Sequence, residues 1–474
     1  MLPDSNPDFM KWMPFLILQF FSIYSFGNPT QAENIGLKPR IMVLTDVSTW
    51  ETDDSESLVR LFVYADRFEI EGLIFTTGWS LSETRDDFLQ LIHNAIDAYE
   101  KDLSHLMKRS GQTGFLEDES RQFLGYWPTP DYLRKRTLVG SRKRGMEFIG
   151  KENVSEGSNW IIKQADEKDD RPLWILLWGG GNTLAQAIWQ VQQERPEKEL
   201  KAFLHMVPTY AITDQDRSYE SGTPFDISSH QWMRREFEQE LKFLWCECAW
   251  KHHNDTGRKN WEEYAVHIQS HGHLGKVYPK YKYGVEGDTP SFLHVMPNGL
   301  NDPLEPGQVG WSGFFEWGQG PDDVTHAFTN HKGSAFEICT KYFTYFYPAI
   351  FNDFAARMDW ARDGSGNRNP EVVINGKKGL DPIIMKSRPG QKIRLDASKS
   401  ADPENHRLNF KWWVIPEAGT YKQKMAITSA DAERITLAIP GDSSGKTIHL
   451  ICEVSDNGEP QLTSYRRIII HSGK

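Results

Sequence analysis

The residues best equipped for chemistry in this 474-residue chain lie close together near its start. The run Leu44-Thr-Asp-Val-Ser-Thr-Trp-Glu-Thr-Asp-Asp54 follows the short apolar stretch Arg40-Ile-Met-Val-Leu44. A strand that ends in one carboxylate, followed by a polar loop and two adjacent carboxylates, gathers Asp46, Asp53 and Asp54 at one mouth. Acids at that spacing repel unless positive charge sits among them, and a hard, oxygen-preferring cation is a common solution. The next segment, Ser57 to Ala65, reads as a helix, so the loop lies over a helix N-terminus that favours anionic groups. A solvated acidic turn with a helix cap at Asp53 or Asp54 would use the same residues without a metal.

Four further constellations could join this mouth. Trp178-Gly-Gly-Gly-Asn-Thr-Leu-Ala185 follows an apolar run, and its glycines allow a sharp turn that lets Asn182 or the Thr183 carbonyl face a ligand. No Gly-Lys-Ser/Thr follows, so it is not a phosphate-binding Walker loop. Met296-Pro-Asn-Gly-Leu-Asn-Asp-Pro303 offers a late carboxylate, Asp302. Glu286-Gly-Asp-Thr289 offers Glu286 and Asp288, and Ile212-Thr-Asp-Gln-Asp216 offers Asp216 just past a strand, all as substrate contacts. Trp50, Trp79 and Trp311 are candidates for stacking on sugar faces or for core packing. His294, His326 and His331 lie near the late motif, while His252, His253, His267, His271 and His273 sit in a Lys- and Trp-rich helical stretch without a fixed metal-ligand spacing.

The elements that must position these residues alternate in type. Strands are expected at Ile41–Leu44, Ile70–Thr77, Leu173–Trp178 and Phe203–Val207, and helices at Ser57–Ala65, Thr84–Lys101 and Thr183–Gln193. Strands alternating with helices predict a doubly wound, mainly parallel α/β sheet, with ligands at the carboxyl ends of its strands. Asp46, Thr76-Thr-Gly78 and the Gly179–Thr183 turn all fall at such ends. Beyond the Gly/Asn/Pro-rich linker Asp363–Pro370, short apolar runs separated by turns predict an immunoglobulin-like β-sandwich. Within it, Leu395-Asp-Ala-Ser-Lys-Ser-Ala-Asp-Pro403 resembles the turn of PKD-like modules. The expected organisation is a signal peptide over 1–32, an α/β domain over 38–360 and the sandwich over 370–474.

Net charge of −11 argues against a nucleic-acid partner, and 17 tryptophans, many of them expected in the core, also fit a protein that stacks rings on sugars or bases. The apolar stretch Met13–Phe26 follows Lys11 and precedes the small-residue site at Gln31-Ala32. It is too short to serve as a stable transmembrane anchor and reads as a secretory signal. Only four cysteines occur, so a disulfide framework is not what holds the fold together.

Asp46 with Asp53-Asp54, Gly180-Gly-Asn-Thr183 and Asn301-Asp-Pro303 resemble the ordered motifs of nucleoside hydrolases. Thr45-Asp-Val-Ser48, Trp178–Thr183, Glu286-Gly-Asp-Thr-Pro-Ser-Phe292, Asn298–Asp302 and Phe354-Ala-Ala-Arg-Met-Asp-Trp360 look more closely like the cellulose-binding protein family with a nucleoside-hydrolase-like domain, once called DUF1593. The resemblance runs from about residue 38 to 470 and includes the C-terminal domain. It implies Ca²⁺ held by Asp46, Asp53 or Asp54, the Thr183 carbonyl and Asp302, with Asp46 as general base. Two features depart from the pattern: six residues, Val47 to Thr52, separate Asp46 from the pair, and Phe314 stands where the closer family has arginine. The expected function is a secreted, calcium-dependent hydrolase of glycosidic bonds acting on a carbohydrate or nucleoside-like substrate. The alternative is a carbohydrate-binding protein that keeps the fold without turnover.

Overall fold

The computed structural model describes residues 36–78, 81, 83–212, 228–320, 322 and 324–473. The proposed signal segment 1–32, Trp79 and Asp216 lie outside the described residues.

The chain builds an eight-stranded sheet in the order β3-β2-β1-β4-β5-β6-β8-β7. Its strands are β1 (Arg40–Thr45), β2 (Glu69–Phe75), β3 (Thr137–Val139), β4 (Leu173–Leu177), β5 (Thr209–Ile212), β6 (Phe243–Cys246), β7 (Glu316–Gln319) and β8 (His326–Thr329). All pair in parallel except β7, which runs antiparallel to β8 at one edge. β1 and β4 are wholly buried, which is why their sequences are unbroken apolar runs rather than alternating ones. Alternate side chains still part to opposite faces: Ile41 and Val43 join one core, and Met42 and Leu44 the other.

Helices cover both faces. Those that matter for the site are α1 (Asp53–Val63), α2 (Leu89–Ser110), α3 (Asn182–Glu194), α4 (Glu197–Met206), α5 (Ser228–Glu236), α6 (Cys248–Lys259), α7 (Thr289–Val295) and α8 (Gly333–Asp363). Two differences from the sequence reading bear on function. First, α1 begins at Asp53, so the acid pair occupies its first turn instead of the preceding loop. Second, Phe203–Val207 is not a strand: it closes α4, whose buried Leu200, Phe203 and Leu204 have helical spacing, and the strand follows at β5.

After α8, which ends at Gly364 in the left-handed conformation, the chain forms the predicted β-sandwich. A four-stranded sheet, β11 (Asn409–Val414), β13 (Thr447–Ser455), β14 (Thr463–Ser472) and β9 (Ile383–Ser387), faces the pair β10 (Lys392–Asp396) and β12 (Arg434–Ala438). All four cysteines are buried free thiols.

Residues Gly36–Lys474 form one compact unit, in which the sandwich is packed against the α/β body. Ile415, Ile451 and Tyr465 of the sandwich join the same apolar cluster as Phe346 and Trp311. Arg467, fully buried, gives its backbone N–H to Gly299 O (2.9 Å), Nε–H to Leu300 O (2.8 Å) and Nη2–H to Val309 O (2.7 Å). Burial lowers its pKa to about 10. Gly299 has φ +82°, and a β carbon there would meet Tyr465 O at 2.1 Å. Gly299→Ala is therefore expected to cost about 1–3 kcal/mol or more, read as a lower urea midpoint at unchanged slope. An unchanged midpoint would mean that the two domains do not meet as closely as described.

Candidate active site

The strand order reverses between β1 and β4, and the carboxyl ends of these two strands open the crevice where doubly wound sheets bind ligands. Asp46 leaves β1 at this point. Its carboxylate is packed between two glycines: a β carbon on Gly78 would lie 2.2 Å from Asp46 Oδ2, and one on Gly179 would lie 3.0 Å from Oδ1. The Gly-rich turn after β4 therefore serves close approach to Asp46. Its backbone also ties to β2, with Gly180 N–H donating to Thr77 O at 2.6 Å.

Asp53 and Asp54 are brought to the same mouth by the first turn of α1, and Asp288 by the residue that precedes α7. One carboxylate oxygen from each of Asp53, Asp54 and Asp288 lies within 4.8 Å of the others. The Thr45 hydroxyl donates to Asp54 Oδ1, and the Asp54 N–H donates to Asp53 Oδ1 at 3.1 Å. Asp53 is 9% exposed, and burial followed by the charge of Asp46 pushes its pKa up to about 7. Gly287 allows the approach of this second loop, since a β carbon there would sit 2.4 Å from Asp53 Oδ2 and 3.3 Å from Asn254 Oδ1. Asn254 Oδ1 is buried and makes no hydrogen bond.

This donor set fits a hard divalent cation. Three carboxylates meet, and a fourth, Asp46, acts electrostatically on Asp53. Asn254 Oδ1, without a hydrogen-bond partner, faces the same glycine, Gly287, as Asp53, and glycines stand where side chains would fill the cradle.

Several expected site residues serve other ends. Asp302 lies at the opposite, amino-terminal end of the sheet, in a cleft with Lys38, Pro39, Arg171 and Pro172. It cannot join the carboxylates at the other strand ends, and Asp288 takes the place expected of it. Thr183 is inside the first turn of α3, so its carbonyl runs down the helix axis, away from the mouth. Its hydroxyl instead binds Thr76 Oγ1 at 2.8 Å and accepts Ser141 N–H at 2.9 Å. Asn182 is buried and exchanges two hydrogen bonds with Gly145, fixing that loop over the sheet instead of facing a substrate. Glu286 is fully buried, bound by Arg60 Nη1 (2.6 Å), His253 Nε2 (2.8 Å) and Tyr278 OH (3.0 Å). Although burial alone would raise its pKa, Arg60 and His253 hold it below the usual carboxylate value. Trp311 is 2% exposed and packs edge-on against Tyr465 at the interface with the sandwich.

Among the histidines, His294 is buried beside Trp174 and Tyr210, with burial lowering its pKa to about 4, and it bonds Ser312 and the Pro303 carbonyl. His271 and His273 pair with Asp359 and Asp102, away from one another's partners. Phe314, in the position where arginine was expected, is buried in the apolar core next to a Gly310–Gly313 turn, so the change concerns packing. Trp50 alone of the described stacking candidates is open, 42% exposed, with Phe88 edge-on at 4.9 Å and the Arg85 guanidinium 5.0 Å from its ring centre.

The sequence reading missed Asn254 and His230. Asn254 sits in the His-His-Asn run weighed only for transition metals. His230, on α5, packs against the glycine turn, where a β carbon on Gly181 would lie 2.6 Å from its Nε2. No local pattern announces either residue.

Residues 40–315 match the family described as cellulose-binding Sde182, nucleoside hydrolase-like domain, and residues 392–472 match the cellulose-binding protein Sde0182 C-terminal domain. No curated protein matches the chain. Among solved structures, a nucleoside hydrolase-related hypothetical protein from Saccharophagus degradans, described as associated with carbohydrate metabolism, is 32% identical with a TM-score of 0.78. The match covers 92% of this chain and 100% of that one. The type III effector XopQ, solved with adenosine diphosphate ribose, is 9% identical over 69% of this chain and 95% of that one, with a TM-score of 0.33.

The acid mouth has a pH signature. An ordinary aspartate releases its proton near 3.8, whereas folded Asp53 holds it to about 7. Between those values the folded state binds a proton that the unfolded chain has lost, so this group's contribution to stability falls as pH rises through that window. Chelator-treated protein should therefore melt lower at pH 8 than at pH 5.5, and Asp53→Asn should flatten that slope in thermal scans. An unaltered slope in the variant would place the titrating group elsewhere.

Proposed function

Because the chain belongs to the cellulose-binding Sde182 family and has its nucleoside hydrolase-like domain, we propose that it hydrolyses glycosidic bonds in a carbohydrate or glycoconjugate at the Asp46 mouth. The observation that carries this reading is the convergence of Asp53, Asp54 and Asp288, with Asp46 beside them, at the β1/β4 switch point. Asp53, Asp54 and Asp288 would hold Ca²⁺, with the Asn254 carbonyl as a further oxygen donor. When bound, the ion supplies positive charge that polarises sugar hydroxyls and lowers the pKa of water.

The chain's own residues do the rest. Asp46, held against Gly78 and Gly179, accepts a proton from the attacking water as general base. The carboxylates around the crevice favour a transition state in which the anomeric carbon gains positive charge. Trp50, exposed on the loop between Asp46 and α1, offers a flat apolar face for a sugar ring. Gly180 N–H and the Asn182–Gly145 pair fix the surrounding loops, so that the mouth does not have to be reordered on binding. The apolar stretch Met13–Phe26 supports delivery outside the cytoplasm, where such a substrate is met. Among the described residues, no helix is long and apolar enough to cross a membrane.

A second reading, a binding protein without turnover, is favoured by the family's cellulose-binding description and by the open Trp50 face. The two separate on one experiment with the full chain and Ca²⁺ present, scoring new reducing ends on plant and algal polysaccharides and free base on nucleosides. Hydrolysis is expected on at least one glycan, and Asp46→Asn should lower kcat by about 10²–10⁴-fold with little change in affinity. Asp53→Asn should weaken Ca²⁺ binding measured by calorimetry. Glycan binding without cleavage by the wild type would establish the binding reading and sink the hydrolase.

A further inference from the structure

The C-terminal sandwich carries a second group of metal-ligating side chains, unrelated to the acid mouth. Asp402 lies in the turn between β10 and β11, His406 four residues on, and Asp456 just past the end of β13. One donor atom from each lies within 4.8 Å of the other two.

The two carboxylates are held firmly. Asp402 Oδ1 accepts the backbone N–H groups of Glu404 and His406, both at 2.9 Å. Asp456 Oδ1 accepts those of Gly458 (3.0 Å) and Leu462 (2.9 Å), and its Oδ2 accepts Asn367 Nδ2–H at 2.8 Å. The Asp402 side chain is 0% exposed, yet its Oδ2 makes no hydrogen bond. His406 Nδ1 is buried too and makes none, although it lies 3.4 Å from Asp402 Oδ1. Among the described residues, no lysine or arginine pairs with either carboxylate. A buried carboxylate oxygen without a partner costs free energy unless something positive satisfies it, and here an imidazole nitrogen without a hydrogen bond lies 3.4 Å from the other oxygen of the same carboxylate.

We infer that Asp402, His406 and Asp456 form a structural site for a divalent transition cation of the zinc type. One nitrogen and two carboxylate oxygens suit zinc, whereas calcium takes oxygens almost alone. The edge of the site at His406, whose side chain is 33% exposed, leaves room for a water as fourth ligand. Such an ion ties the 401–406 turn to the loop after β13. Asn367, which bonds both Asp456 Oδ2 and Pro460 O, extends the clasp to the linker leaving α8. The site would fix the sandwich against the α/β body independently of catalysis.

The test uses full-length protein carrying Asp53→Asn and Asp288→Asn, so that the acid mouth does not compete, stripped with EDTA and titrated with Zn²⁺ alone. About one equivalent should bind by calorimetry and survive dialysis, with a rise in melting temperature. His406→Gln, at a partly exposed position that need not disturb folding, should weaken Zn²⁺ binding at least about tenfold and abolish the thermal shift. Asp402→Asn should do the same. Failure of the parent to take up Zn²⁺ overturns the site, and so does uptake that His406→Gln and Asp402→Asn leave unchanged.

Discussion

Asp46, Asp53, Asp54 and Asp288 are each 9% exposed or less and converge on one crevice, and much of the α/β architecture answers the repulsion this creates. Two unit charges 4 Å apart at an effective dielectric of about 20 repel by roughly 4 kcal/mol, so crowding several is not a neutral arrangement. The fold answers it locally. α1 and α7 both start at the cluster, so the positive ends of two helix dipoles lie beside the acids. The Thr45 hydroxyl and the Asp54 N–H donate to carboxylate oxygens, and burial with the charge of Asp46 leaves Asp53 holding its proton to about pH 7. These devices moderate the repulsion without removing it, which is the condition in which a bound cation gains most.

Behind the crevice, a buried polar network fixes both loops that carry the acids. Glu286 has φ +52°, an unusual conformation for a residue with a side chain, and it is retained because Arg60, His253 and Tyr278 all bind its carboxylate. Its own N–H donates to Glu56 Oε2 at 2.8 Å, while the Thr52 hydroxyl donates to Glu56 Oε1. Burial, followed by the charge of Asp53, raises the Glu56 pKa well above its ordinary value. Arg60 spends a second N–H on the Ile350 carbonyl, tying α1 to α8. Glu286 thus acts as the keystone that sets where Gly287 and Asp288 meet Asp53.

Much of this was legible in the sequence where local pattern and topology agree. The unbroken apolar runs at β1 and β4 announced a parallel sheet, the acid pair announced its mouth, and the short spaced runs after Pro370 announced the sandwich. What was not legible depends on direction and packing. α7 carries the chain from the carboxyl to the amino ends of the strands, so Asp288 before it and Asp302 after it fall at opposite ends of the sheet. Order along the chain cannot reveal that separation. Trp311 reads as a platform until Tyr465, more than a hundred residues later, packs against it. Thr183 kept its place at a strand end, but the helix begins one residue earlier and turns its carbonyl away.

The lengthened loop Val47–Thr52 is the remaining place where sequence and structure bear on one another. Six residues between Asp46 and the acid pair suggest a distorted metal geometry, but the structure takes up the extra length outside the cluster. α1 begins at Asp53, and Thr52 is anchored by Lys282 N–H, which donates to its hydroxyl at 3.0 Å, so the pair is positioned by the helix and not by the loop's length. Val47 and Ser48 stay buried, while Trp50 is turned out to solvent against Phe88 and Arg85. An aromatic face held by a neighbouring ring and a guanidinium loses little freedom when a sugar stacks on it. The extra residues therefore leave the acid set intact and change instead the surface that lies beside it.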